Sequence, residues 1–219
     1  SDDPGDKAAA SRVDGNQNRI FLDPLFKGSW PQDMIEHYRA VSDLSFIEDG
    51  DLEIISAPMD FLGINYYMRH RVAADPDDAE RGAIIQQPDE PRTAMGWGID
   101  PEGLTVLLTR LDAEYTKIPL YITENGAAFY DYVDPEGDID DEERISFLDA
   151  HFRAAHCAIE QGVNLSGYFV WSFLDNFEWS LGYSKRFGIV FVDYATQTRT
   201  PKQSARWYQK VIKRNGIQD

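Results

Sequence analysis

The sequence YITENG, at residues 121–126, places the carboxylate of Glu124 between an apolar run and an Asn-Gly pair. Residues 119–123 form a short apolar run that ends at turn-forming residues, which predicts a buried β-strand. Asn-Gly is a strong hairpin signal, but residues 127–138 lack the pattern of a matching antiparallel strand. Two interpretations of Glu124 therefore stay open: a turn residue, or a reactive group held at the end of a rigid strand.

Two further runs of the same kind flank this one along the chain. Residues 61–67 (FLGINYY) and 165–173 (LSGYFVWSF) are apolar and aromatic throughout. Continuous apolar runs are typical of parallel strands, because helices cover both faces of a parallel sheet. A helical pattern follows each run, so the order of strand then helix, repeated three times, predicts a parallel α/β fold.

The three helices are predicted from apolar residues at helical spacing. One spans residues 101–116, one begins in the acidic cluster at 138–143 and ends before Gly162, and one is capped by Thr200 with Pro201 at its first position. Their apolar faces hold Leu104, Leu107, Leu108 and Leu111; Ile145, Leu148, Phe152, Ala155 and Ile159; and Ala205, Tyr208, Val211 and Ile212. The acidic cluster suits a helix N-terminus and does not match a calcium loop, so we predict no metal site.

The remaining segments carry weaker patterns. Residues 1–19 are polar and are predicted to be irregular, residues 31–42 have a helical composition, and residues 43–58 are predicted to be a connecting segment. Residues 68–96 are rich in Pro, Asp, Arg and Gln and are predicted to be one long loop, which in a compact domain is usually functional. Cys157 lies in a helical pattern and is predicted to be a small buried residue.

The composition of the chain argues against several classes of protein. The chain has 38 acidic and 21 basic residues and a net charge of −17, which argues against a nucleic-acid partner and an anionic membrane surface. It contains no run of about 18 apolar residues, so we predict no membrane span. A polar N-terminus without a signal-peptide pattern predicts a cytoplasmic location. The single cysteine excludes an internal disulfide, and we predict no cofactor.

Polar or aromatic side chains stand at the C-terminal end of each predicted strand. They are Asn65 and Tyr67 on the first, Glu124 on the second and Trp171 on the third. The carboxyl ends of parallel strands meet at one edge of a sheet, where α/β proteins carry their chemistry. No glycine-rich phosphate loop follows any strand, which disfavours a small open-sheet nucleotide-binding protein.

The segment WSFLDNFEWSLGY, at residues 171–183, mixes aromatic rings with polar groups. Asp175, Asn176 and Glu178 alternate with four rings, and such a mixture is costly to bury without partners. Rings that stack on a sugar face, beside carboxylates that accept from its hydroxyls, would suit a carbohydrate. The alternative is an aromatic-rich core segment.

Three segments together resemble glycoside hydrolase family 1, the β-glucosidase family. They are DFLGINYY at residues 60–67, YITENG, and GYFVWSFLDNFEWSLGYSKRFGIVFVDY at residues 167–194. NRIFLDPLFKGSWP, at residues 18–31, is similar to the segment before the family's sixth barrel strand. The resemblance covers essentially the whole chain. It implies a (β/α)8 TIM barrel, of which residues 1–219 are the C-terminal portion of the single catalytic domain, with strands six to eight.

The resemblance implies a retaining β-glycosidase, foremost a β-glucosidase acting on terminal β-linked glucose, with galactose or fucose also open. Glu124 matches the family's catalytic nucleophile, and Tyr67 matches the tyrosine that hydrogen-bonds it. The matched substrate-binding residues are Asn65 in the pocket, Trp171 under the sugar, Glu178 and Trp179 at its hydroxyls, Phe187 at the wall and Trp97 on the aglycone side. A carboxylate at position 178 would repel a 6-phosphate, so unphosphorylated sugars are expected.

The family's acid/base glutamate, in an Asn-Glu-Pro motif, has no counterpart in this sequence. Asp-Glu-Pro at residues 89–91 is similar, but it falls in the predicted long loop and is interpreted as solvated. We therefore expect an N-terminal half, as a second chain or a nicked fragment, to supply strands one to five and the proton donor for a β-glucoside or cello-oligosaccharide. The alternatives are a non-catalytic sugar-binding relic and a myrosinase-like thioglycosidase.

Overall fold

The computed structural model describes residues 2–75, 77, 83–86, 89 and 91–217. The chain divides into two compact units. The first contains Ser1–Asp60, His70–Asp89 and Arg110–Lys117, and the second contains Phe61–Arg69, Glu90–Thr109 and Ile118–Asp219.

The described helices are α1 (Pro4–Asp14), α2 (Ile20–Lys27), α3 (Gln32–Tyr38), α4 (Asp51–Ile55), α5 (Pro101–Glu114), α6 (Glu142–Glu160) and α7 (Gln203–Arg214). The described strands are β1 (Leu62–Asn65), β2 (Arg71–Ala74), β3 (Ala83–Gln86), β4 (Leu120–Asn125), β5 (Leu165–Val170), β6 (Val190–Val192) and β7 (Arg199–Pro201). A π-helical turn at Gly15–Arg19 joins α1 to α2, and a 3₁₀ turn lies at Trp179–Leu181.

The first unit has more regular structure than its composition predicted. The prediction that residues 1–19 are irregular was wrong: α1 begins where the Asp3 carboxylate accepts from the Gly5 amide at 2.8 Å, with Pro4 at the first helical position. The predicted long loop at 68–96 was also wrong in part, because β2 and β3 pair there as an antiparallel hairpin. The segment at 43–58, predicted to be a connection, contains α4.

The second unit contains the three-stranded parallel sheet that the apolar runs predicted. Its strand order is β1–β4–β5, with Leu62 opposite Leu120 and Leu120 opposite Leu165. Each strand is followed along the chain by a helix, as predicted. Helix α5 starts at an Asp100 cap, whose carboxylate accepts from the Gly103 amide at 2.9 Å, with Pro101 at the first helical position.

The buried face of α6 matches the predicted one in part, because Leu148 and Ala155 are buried on it. Arg144 and His151 are buried on it, whereas Ile159, assigned to this face by spacing, is 45 % exposed. Burial lowers the pKa of His151 to about 4, so its ring is neutral near pH 7. Cys157, which we predicted to be buried, is exposed.

The start of α7 also differs from prediction. Thr200 and Pro201 belong to β7, which pairs antiparallel with β6, so Thr200 does not cap the helix. Strand β7 ends at Pro201, Lys202 is the N-cap, and α7 begins at Gln203. Pro201 is therefore not the first residue of the helix. Ile212, predicted on the packing face, is 62 % exposed.

Candidate active site

The carboxyl ends of β4 and β5 approach each other closely at the Asn-Gly pair. A Cβ atom at Gly126 would collide with the backbone carbonyl of Trp171, so only glycine fits there. The Asn-Gly pair therefore serves a close backbone approach between parallel strands and not a hairpin. Glu124, directly before it, lies opposite Asn65 of β1, at an irregularity in the strand register.

Asn125 links the ends of all three strands and was not among the predicted site residues. Its buried Nδ2 donates to the Tyr66 carbonyl at 2.8 Å, and its Oδ1 accepts from the Tyr168 hydroxyl. Its backbone carbonyl accepts from the Trp171 amide at 2.9 Å. The side-chain amide of Asn125 is therefore hydrogen-bonded both by the residue that follows β1 and by β5. These bonds hold the end of β4, where Glu124 lies, in a fixed position. The Asn-Gly pair was its only sequence signal.

Tyr67 contacts the Glu124 carboxylate directly. The Tyr67 hydroxyl donates to Glu124 Oε2 at 2.7 Å. Burial raises the pKa of Tyr67 well above its usual value, and the hydrogen bond to Glu124 and the nearby charges of Glu124 and Glu178 raise it further. The phenol therefore stays protonated and remains a donor to the carboxylate.

Glu178 is the second carboxylate in this region. Its pKa is raised, first by partial burial and then by the negative charge of Glu124. Both Glu124 and Glu178 also act on the pKa of Tyr67, which places the three groups within electrostatic reach of one another. Two neighbouring carboxylates accept hydrogen bonds and therefore favour hydroxyl donors.

Three rings form one wall beside these carboxylates. The ring centroids of Tyr67 and Trp97 are 5.3 Å apart, those of Tyr67 and Phe187 6.2 Å, and those of Trp97 and Phe187 6.1 Å. Such tilted and edge-on arrangements are favourable for aromatic pairs. Phe187 is 3 % exposed, so it supports the other two rings from inside.

Asn65 and Trp171 lie at the ends of β1 and β5, and Trp179 lies in the 3₁₀ turn; all three have fewer contacts with the site than Tyr67 has. Thr123 donates its hydroxyl to Asn65 Oδ1 at 2.7 Å, and Asn65 is exposed. Trp171 is half-buried, and its peptide bond to Ser172 is cis. Trp179 follows Glu178 and is 84 % exposed, and no hydrogen bond or ring contact among the described residues joins its indole to the other predicted groups.

Asp175 does not face a sugar, which corrects one expectation. Its carboxylate accepts from Lys202, Arg186 and the Gly188 amide, at 3.0, 2.6 and 3.0 Å, and its side chain is fully buried. Asn176 likewise donates to Ser172 Oγ at 3.1 Å. Of the three polar residues interleaved with the rings, only Glu178 remains available to a ligand.

Lys202 and Asp175 belong to a larger buried ion network. Arg144 pairs with Asp131 and Asp141, and Lys202 pairs with Asp131 at 2.6 Å. We refer to this group as the ion network; its members are Asp131, Asp141, Arg144, Asp175, Arg186 and Lys202. It joins the segment after β4, the start of α6, the segment after β5 and the start of α7. The acidic cluster at 138–143 thus contributes Asp141 to this network.

Comparison with known proteins decides the family. The family model described as glycosyl hydrolase family 1 matches residues 1–217. This chain belongs to glycosyl hydrolase family 1. Beta-glucosidase A of Thermotoga maritima is 47 % identical over 204 residues, which are 93 % of this chain and 45 % of that protein. The bifunctional beta-D-glucosidase/beta-D-fucosidase of Bifidobacterium breve is 41 % identical over 95 % of this chain and 49 % of its own length.

Solved structures of the family have the same fold over this region. The GH1 β-glucosidase from Exiguobacterium antarcticum B7 superposes with a TM-score of 0.95 at 45 % identity, covering 98 % of this chain and 48 % of that one. These neighbours are (β/α)8 barrels, and this chain spans about half the length of the relatives it matches. The described helices include none long and apolar enough to cross a membrane. Among the described residues, no cluster of His, Cys, Asp and Glu could hold a metal ion.

Proposed function

We propose that this chain carries the nucleophile and most of the sugar-binding pocket of a retaining β-glycosidase, foremost a β-glucosidase. The observation that carries the proposal is the 2.7 Å hydrogen bond from Tyr67 to Glu124 Oε2, at the carboxyl edge of a parallel sheet in a family 1 chain. A carboxylate seated on a strand end is held more precisely than one on a loop. A turn residue would not need a buried donor of this kind.

In this proposal the two oxygens of Glu124 have different tasks. Tyr67 occupies Oε2, which leaves Oε1 to attack the anomeric carbon. As the C1–Oε1 bond forms, the bond from C1 to the leaving oxygen breaks, and that oxygen takes a proton from a second carboxylic acid. Water then attacks C1 from the opposite side, returns a proton to that acid and releases Glu124.

The proton donor belongs, in this proposal, to the part of the family barrel that this chain does not span. A retaining enzyme places its two carboxyl groups about 5–5.5 Å apart across the scissile bond. We keep the interpretation of the Asp-Glu-Pro sequence at residues 89–91 as solvated, and Asp89 is exposed. Glu90 lies outside the described residues. We assign Glu178 to sugar hydroxyls, because its partial burial next to Glu124 suits an acceptor for hydroxyl donors.

The strands are proposed to be numbers six to eight of one barrel, and residues 1–219 the C-terminal portion of its single domain. Within the described sheet, β1 and β5 each pair with β4 on one side only. Phe61 and Phe169, at these edge strands, are 56 % and 58 % exposed. Unpaired edges with exposed large rings favour further strands on both sides, which the N-terminal half would supply.

A terminal β-linked glucose is the proposed substrate, as a simple β-glucoside or a cello-oligosaccharide, with galactose or fucose as further possibilities. Trp171 and Trp179 would stack on or donate to the sugar, Asn65 would bond its hydroxyls, and Glu178 would favour an unphosphorylated one. Equal turnover of a 6-phosphoglucoside and the plain glucoside would contradict this last assignment.

A covalent trap tests the central claim. A 2-deoxy-2-fluoro glucoside slows both steps but allows the first, so the assembled enzyme should gain one fluoroglucosyl mass on the peptide that contains Glu124. The variant Glu124→Gln should gain none. A stable complex without an adduct would support the non-catalytic relic. Faster turnover of a thioglucoside than of its oxygen counterpart would support the myrosinase-like alternative.

A further inference from the structure

The turn that carries Trp97 is short and internally hydrogen-bonded. The Thr93 amide donates to the Trp97 carbonyl at 3.0 Å, and the Gly96 amide donates to the Thr93 carbonyl at 2.9 Å. Gly96 has a φ of +77°, which other residues adopt only with strain. These bonds make residues 93–97 one compact piece, so the position of the Trp97 ring depends on where that piece is anchored.

Two hydrogen bonds to the backbone of Ala94 join the turn to later parts of the chain. Its amide donates to the Ala128 carbonyl at 2.8 Å, in the segment that follows Glu124. Its carbonyl accepts from the Lys185 ammonium at 2.6 Å. Lys185 stands two residues before Phe187, so a single side chain connects the Trp97 turn to the wall that Trp97 touches.

The contacts of Lys185 indicate that it connects two loops. Its ammonium lies 5.8 Å from the centroid of the exposed Tyr130 ring and forms no salt bridge among the described residues. A charge-assisted hydrogen bond of 2.6 Å to a carbonyl is among the stronger contacts that a lysine makes with backbone. The contact fixes the distance between two loops without placing Lys185 against the sugar.

We propose that Lys185 is a positioning residue that holds the Trp97 turn against Phe187 and thereby sets which leaving groups the pocket accepts. This inference rests on the proposed function, with Trp97 on the aglycone side. Loss of the ammonium removes one of the two hydrogen bonds at Ala94 and lets the indole move away from Tyr67 and Phe187. A displacement of about 1 Å in a substrate-positioning group can change rates by up to about 100-fold.

The test compares two substrates that share glucose and differ in leaving group: cellobiose and 4-nitrophenyl β-glucoside. They are assayed in the assembled enzyme, meaning this chain with the remainder of its barrel. Lys185→Met keeps an unbranched side chain, one atom shorter, and removes the donor. We expect it to change the ratio of the two kcat/KM values by about tenfold, in the direction given by Trp97→Ala. Inhibition by deoxynojirimycin, which fills only the sugar pocket, should stay within about twofold.

Two variants serve as controls. Lys185→Arg keeps a charged donor and should restore most of the parent ratio, whereas Lys210→Met removes an exposed lysine on α7 and should leave it unchanged. An unchanged ratio in a folded Lys185→Met enzyme overturns the inference. So does an equal loss for both substrates and the inhibitor, which indicates a purely structural role. If Lys185→Met does not fold, Lys185→Leu, which also lacks a donor, takes its place under the same criteria.

Failure of the proposed function gives a different result. In that case the parent enzyme hydrolyses neither substrate and forms no fluoroglucosyl adduct, and the inference falls with it. An active parent with an insensitive ratio instead refutes the role of Lys185 alone.

Discussion

The hydroxyl of Tyr67 donates to one oxygen of Glu124, and in the proposed function this contact orients the carboxylate for attack. Tyr67→Phe removes the donor and keeps the ring contacts with Trp97 and Phe187. A hydrogen bond to a charged group is worth about 1.5–3 kcal/mol, so we expect kcat/KM to fall by about 10- to 150-fold. The rate of fluoroglucoside labelling should fall in parallel, because the same attack is measured.

The matched control is Tyr132→Phe, which removes the hydroxyl of a tyrosine that is 78 % exposed. It should leave both rates unchanged. Labelling within about twofold of the parent in Tyr67→Phe would show that the contact does not orient the nucleophile.

Single residues also show what a sequence can reveal about a site. Glu124, Tyr67 and Glu178 stood out because their neighbours match motifs of a known family, and the structure brings these three into one region. Asn125 did not stand out, because its role depends on three strand ends that are distant in sequence. The pattern of residues 171–183 left open whether Asp175 binds a sugar or lies in the core, because its partners Arg186 and Lys202 lie 11 and 27 residues away.

At the scale of elements, the ion network joins loops and helix starts that the sheet alone does not connect. The side chains of Lys202, Asp131 and Asp175 are at most 1 % exposed, so each charge depends on its partners. Lys202→Met leaves two buried carboxylates short of a cation, and we expect unfolding to become easier by about 3–5 kcal/mol. Denaturant melts of the assembled enzyme measure this difference.

Lys210→Met is the natural comparison, because it changes an exposed lysine on the same helix, α7. A surface substitution should shift the free energy of unfolding by no more than about 0.5 kcal/mol. Equal melts for the two variants would mean that the network is not a source of stability.

The elements that we predicted correctly have long patterns. The three strands and helices α5, α6 and α7 rest on continuous apolar runs or on several turns of helical spacing. The hairpins β2–β3 and β6–β7 consist of strands of three or four residues, which are too short for a periodic signal. Helix α1 was not predicted, because most of its residues are polar and form no apolar stripe at helical spacing. Its helix signals are Asp3-Pro4 at the start and three consecutive alanines.

At the scale of the whole molecule, the sheet of three strands is the decisive feature. Expressed alone, residues 1–219 should be insoluble or molten, because β1 and β5 leave edges unpaired and Phe61 and Phe169 in water. Co-expression with a chain that spans strands one to five of a family barrel should give a soluble complex with glucosidase activity. Size-exclusion chromatography, near-UV circular dichroism and an activity assay distinguish the two preparations.

A matched comparison uses a companion chain whose Asn-Glu-Pro glutamate is replaced by glutamine. It should restore solubility without restoring hydrolysis of cellobiose, since assembly and proton donation are separate properties. A monomeric preparation of residues 1–219 that unfolds cooperatively would contradict the proposed dependence on a second half.

The ion network affects where the net charge of the chain lies. Its three carboxylates and three cations cancel, so the net charge of −17 is carried by the rest of the chain. An exterior this anionic gathers a cloud of counterions within about 10 Å at 0.1 M salt. Dissolved salts should therefore ease the mutual repulsion of its outer carboxylates while leaving the shielded interior pairs almost untouched.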